Sequence, residues 1–78
     1  MSIKVPIVKV KLIEKLLFYL GFAAKRQSGS HVFYRHSDGR YTTLPHHGNQ
    51  ELGRPLIRQI LREINITPEE FIKLLKDL

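Results

Sequence analysis

Residues 22–44 read FAAKRQSGSHVFYRHSDGRYTTL, and this stretch decides the fold. Aromatic and β-branched residues recur in three short runs, Phe22 to Gln27, His31 to His36 and Arg40 to Leu44. Two loops separate them. The first is Gln27-Ser28-Gly29-Ser30; the second is Ser37-Asp38-Gly39, a strong turn signal because Asp-Gly tolerates positive φ. Two tight loops between three strands predict an antiparallel meander. Alternation along the middle run puts His31, Phe33 and Arg35 on one face and Val32, Tyr34 and His36 on the other. Both faces carry apolar groups, so the pattern leaves open which one packs against the rest of the chain. His31 is the first residue after a tight loop, where backbone can approach a ligand closely and an imidazole can face water.

Outside this stretch the periodicity changes from two to that of a helix. From Lys9 to Leu20 the apolar residues Val10, Ile13, Leu16, Leu17 and Leu20 share one face, and Gly21 supplies the stop. Met1 to Val8 is expected to be extended, since Pro6 blocks an early helix. After the loop from Pro45 to Asn49, a second helix is expected over Pro55 to Ile64, with Pro55 suited to a first helical position. Arg54, Arg58 and Arg62, spaced by four, form a basic ridge on its flank. Thr67-Pro68-Glu69-Glu70 is a capping box that opens a third helix. The order α-β-β-β-α-α, with helices on one face of a three-stranded antiparallel sheet, is an α+β fold.

A chain of 78 residues makes one domain, 1–78, near the lower limit for a self-sufficient core. It has no cysteine, so no disulfide framework supports it. No apolar run approaches the ~20 residues of a membrane span, and the N-terminus lacks a signal-peptide cleavage pattern. The expectation is a soluble cytoplasmic domain. The formal charge of +6 is unevenly placed. Residues 1–45 carry eight Lys/Arg against two Asp/Glu, whereas residues 46–78 carry five of each. The whole excess therefore lies on the first helix and the sheet, the electrostatic footprint of a nucleic-acid binder.

The residues at the joints of these elements resemble the HicA (YcfA-like) family of toxin ribonucleases. The resemblance runs from Val8 to Leu75. It is carried by Leu20-Gly21-Phe22, Arg26-Gln27-Ser28-Gly29-Ser30-His31, Arg35-His36-Ser37-Asp38-Gly39-Arg40, Leu44-Pro45 with His47, and Glu51-Leu52. Arg58-Gln59-Ile60-Leu61 and Ile66-Thr67-Pro68-Glu69-Glu70-Phe71 complete it. The resemblance implies a fold like the double-stranded-RNA-binding domain and cleavage of mRNA. It also implies silencing by a HicB-type antitoxin, and catalysis by the histidine of Gly-Ser-His, here His31. Where the family opens its second helix with Gly followed by Thr or Ser, this chain has Pro55-Leu56, so a hydroxyl contact to phosphate is absent there.

The chemistry follows from the substrate. RNA carries its own nucleophile, the ribose 2′-hydroxyl. Cleavage needs a base for that hydroxyl, an acid for the leaving 5′-oxygen, and positive charge for the phosphorane. Histidine suits the proton transfers, so His31 is the expected general base or acid. Lys25, Arg26, Ser30, Arg35 and Arg58 are the expected RNA-binding residues. His36 and His47 are secondary candidates, each with a structural reading beside it: His36 bonding the Asp-Gly turn, His47 holding its loop. His46 is expected to face solvent. No Cys, His and carboxylate constellation suggests zinc, so neither a metal nor a small-molecule cofactor is expected. The competing readings are a noncatalytic RNA-binding module of the same fold and an adaptor for an acidic protein. RNA products separate the enzyme from both.

Overall fold

The computed structural model describes residues 3–46 and 49–78. Its elements run β1 (Val8–Lys9), α1 (Val10–Tyr19), β2 (Ala23–Ser28), β3 (His31–Arg35), β4 (Tyr41–Pro45), β5 (Glu51–Leu52), α2 (Arg54–Glu63) and α3 (Pro68–Asp77). The strands β2, β3 and β4 form the expected antiparallel sheet in that order. The fold is α+β, with the meander and all three helices where the sequence patterns place them.

The open question about the two sheet faces is resolved by burial. Tyr34, Thr42 and Leu44 are buried, and Val32 packs partly against the core with them. The helices cover this face. Leu16 and Leu17 of α1, Ile57 and Ile60 of α2, and Phe71 of α3 meet there in one cluster. The opposite face is left to solvent. Thr42, a buried polar residue on the core face, donates its hydroxyl to Glu63 Oε1 at 2.7 Å and so ties β4 to α2. This satisfies a group that would otherwise cost about 1–3 kcal/mol to bury unpaired.

Two features go beyond the expected architecture. The strand β1 pairs antiparallel with β5, Val8 opposite Leu52 and Lys9 opposite Glu51. This two-residue ladder ties the N-terminal segment to the entry of α2. The segment itself is part of the core, since Val5 is fully buried. Its carbonyls are satisfied from α2: Arg54 Nε donates to the Val5 carbonyl at 2.7 Å and Arg58 Nη2 to the Ile3 carbonyl at 2.6 Å. Two of the three arginines of the expected basic ridge are thus drawn into the fold. A half-buried carbonyl with no strand partner is a strong local acceptor, and guanidinium is the side chain best able to meet it.

The third helix begins as its sequence indicates. Thr67 Oγ1 accepts from the Glu70 N–H at 3.1 Å, and a Glu70 carboxylate oxygen accepts from the Thr67 N–H at 2.9 Å. The reciprocal pair satisfies two helix-end donors that would otherwise need water.

Candidate active site on the open sheet face

Cross-strand register defines the open face in three rows. Ser28, His31 and Pro45 form the first; Arg26, Phe33 and Thr43 the second; Ala23, Arg35 and Tyr41 the third. Directly opposed residues of antiparallel strands share a face, so these nine side chains stand on one surface. None is a carboxylate. Tyr41 is 57% exposed, and His31, Arg26 and Arg35 are exposed as well. An imidazole sealed in the interior would have excluded proton transfer to RNA. His31 instead lies at the end of this cationic surface, free of side-chain hydrogen bonds among the described residues.

Local chemistry sets that position. Gly29 has φ +59, a left-handed conformation that glycine adopts without strain. It closes the β2–β3 turn, so that His31 pairs with Ser28 on one side and Pro45 on the other. Gln27 Nε2 donates to the Gly29 carbonyl at 3.1 Å and steadies the turn. The Ser30 carbonyl accepts from the His46 N–H and links the turn to the chain leaving β4. Ser30 itself is half-buried.

The other expected residues divide into two groups. Arg26 is the diagonal neighbour of His31, and its guanidinium lies 5.8 Å from the Phe33 ring centroid. Lys25 is the bulge residue where the β2–β3 register shifts between Ala24 and Arg26. The bulge turns it toward Arg35, and the two share a cavity of about 250 Å³ with Gly21, Ala23, His36 and Ser37. The structure therefore brings Lys25, Arg26, Ser30 and Arg35 to the sheet that carries His31. Arg58 belongs to the helical layer on the other side, with its guanidinium on the Ile3 carbonyl.

The histidines differ in kind. His36 Nδ1 accepts from the Asp38 N–H at 3.0 Å, so its Nε2 is left to donate to the Leu20 carbonyl, 3.1 Å away. The ring also meets Phe22 edge-on at 5.1 Å. With both nitrogens engaged, His36 supports the turn and the end of α1, as its turn-bonding reading states. Gly21 is required beside it. Its φ is +98, and a Cβ there would lie 3.1 Å from His36 Nε2. Asp38 is held below the ordinary carboxylate range, chiefly by the Arg40 N–H and further by the Arg40 guanidinium. The expected role of His47 falls outside the described residues.

His46 departs from the expectation that it faces solvent. Its Nε2 lies 2.7 Å from Tyr34 Oη and 3.5 Å from Glu14 Oε2. The Tyr34 hydroxyl donates to Glu14, so its oxygen accepts from His46 Nε2–H. Burial first, and then the hydrogen bond and charge of Glu14, push the Tyr34 hydroxyl well above its ordinary pKa of 10.0. Residues 14, 34 and 46 come from α1, β3 and the chain after β4. No local motif could have joined them; the only clue was a tyrosine on the apolar face of a strand, whose hydroxyl needed a partner.

Among the described residues, no three His, Asp or Glu side chains converge as a metal site would require, and no helix is long and apolar enough to cross a membrane. A family model described as HicA toxin of bacterial toxin-antitoxin matches residues 10–66, which span α1 through the loop before α3. No curated protein matches the chain.

Proposed function

The chain belongs to the HicA toxin family, the toxin partner of bacterial toxin–antitoxin systems, and we propose that it is an endoribonuclease that cleaves mRNA without a metal ion. The observation that carries this reading is His31: an exposed imidazole at the end of a sheet face that holds Arg26 and Arg35 and no carboxylate.

In this mechanism the ribose 2′-oxygen attacks the adjacent phosphorus and the bond from phosphorus to the 5′-oxygen breaks. One proton leaves the 2′-hydroxyl and one arrives on the departing 5′-oxygen. His31 carries one of these transfers, and solvent water exchanges the other. Arg26, Arg35 and Lys25 hold the phosphate backbone and offset the charge that grows on the phosphorane. The products are a 2′,3′-cyclic phosphate and a 5′-hydroxyl. The antitoxin partner is of HicB type. An acidic surface on it would complement the open face and keep RNA away from His31.

The test is product chemistry. Purified protein is incubated with an mRNA in excess EDTA, and the new ends are analysed. Cyclic phosphate and 5′-hydroxyl ends support the mechanism. Intact RNA under conditions where the protein is folded contradicts it. Cleavage lost in EDTA and restored by zinc contradicts the metal-free step.

A further inference from the structure

The same face carries two aromatic rings that the proton chemistry does not use. Phe33 and Tyr41 lie with centroids 5.5 Å apart and planes tilted by 38°, and Arg26 sits over Phe33. Tyr41 is 57% exposed. Neither ring belongs to the core cluster, which occupies the opposite face with Tyr34 and Leu44, and Tyr41 borders α2 only where it lines a cavity with Glu63. An exposed ring packed on a half-buried one, among paired strand residues that include arginines and no carboxylate, fits flat bases on a polyanionic strand. The Glu63 carboxylate at the Tyr41 edge bounds the surface.

Spacing joins this pair to the rest of the face. Phe33 stands two residues from His31 along β3, roughly 6.6 Å at the ~3.3 Å rise of a strand. Arg35 stands two residues further, beside the cavity it shares with Lys25. Cation pair, ring pair and imidazole thus follow one another in steps on the scale of a nucleotide. We propose that Phe33 and Tyr41 form a stacking platform for an unpaired RNA base, with one neighbouring phosphate held by Lys25 and Arg35 and the next presented to His31. A base held in a duplex cannot lay its face on these rings, so the platform selects single-stranded RNA. This inference rests on RNA being the ligand of the open face, but not on the protein cleaving it.

The test uses an RNA of about eight nucleotides with 2′-O-methyl riboses throughout, which cannot be cleaved, and fluorescence anisotropy to measure binding. Tyr41→Ala is expected to weaken binding of the unpaired strand roughly five- to hundred-fold, the range found when a base loses an aromatic stacking partner. Tyr41→Phe keeps the ring and is expected to bind within about twofold of the parent. The same sequence annealed to its complement is expected to bind more weakly and to be indifferent to Tyr41→Ala. A 2-aminopurine in the strand should be quenched on binding by the parent and much less by Tyr41→Ala. Tyr41 is the more exposed ring, and circular dichroism of the Tyr41→Ala variant is the check that it folds. Equal affinity of parent and Tyr41→Ala for the unpaired strand overturns the proposal. So does an equal loss on strand and duplex, or no binding of unpaired RNA at all. Ring-dependent binding by a protein that cleaves no natural mRNA leaves the platform standing and removes the ribonuclease reading instead.

Discussion

His31, His36 and His46 are chemically identical side chains, yet the fold uses them differently. His36 spends both nitrogens on backbone, His46 donates to Tyr34, and His31 is left to solvent among cations. The exposed position of His31 was legible in the sequence because a tight Gly-Ser turn places the next residue locally. That of His46 was not, because its partners are 12 and 32 positions away in the chain. Tyr34→Phe tests the network. It leaves Glu14 and His46 without their shared hydroxyl and is expected to lower stability by about 1–2 kcal/mol in denaturant unfolding at neutral pH. Its pH dependence has a definite sign. The folded Tyr34 hydroxyl keeps its proton above the ordinary value of 10.0, where the unfolded chain loses it. This contribution is full below that value and declines as pH rises above it. In Tyr34→Phe that alkaline decline is expected to flatten.

At the scale of elements, long periodic segments were legible and short ones were not. The meander announced itself by two turns, α1 by its apolar face, and α3 by its capping box. Two-residue strands such as β1 and β5 have no pattern to read, and the carbonyls of Ile3 and Val5 are met by arginines some fifty residues away. The bulge at Lys25 was equally silent, as it arises in pairing rather than in composition. Arg58 shows the consequence: its ridge was expected to meet RNA, and the structure places its guanidinium on the Ile3 carbonyl, in the helical layer rather than on the open sheet face. Arg58→Ala is therefore expected to cost about 1–2 kcal/mol of stability and to leave RNA affinity of the folded protein within about twofold; unfolding curves and anisotropy check the two halves. At α3, Thr67→Ala is expected to cost about 1 kcal/mol in thermal or denaturant unfolding. The Glu70 carboxyl is held below its ordinary value, first by the Thr67 N–H. Its stabilisation is present above that ordinary value and is lost as pH falls through the lower folded value. Glu70→Gln keeps an acceptor in the box but removes this acid sensitivity, which unfolding measured from neutral to acid pH will show.

Across the whole molecule, charge and topology divide the labour. The chain places its net +6 in the first 45 residues, and the sheet presents part of that excess on a face the helices do not cover. Binding of single-stranded RNA should accordingly fall with salt. The slope of log affinity against log salt is about −0.7 for each phosphate held, so contacts by Lys25, Arg26 and Arg35 predict a slope near −2. Arg26→Ala should reduce it by about 0.7. Salt titrations of the uncleavable strand measure both. Such a slope reports how RNA is held; in the proposed mechanism His31 decides whether it is cut. The most direct measurement is the cleavage rate of one mRNA by the parent and by His31→Ala, both shown to be folded and to bind RNA equally. Loss of a positioned proton carrier is expected to slow cleavage about 10²- to 10⁴-fold. A folded His31→Ala protein that cleaves at the parent rate would contradict the account.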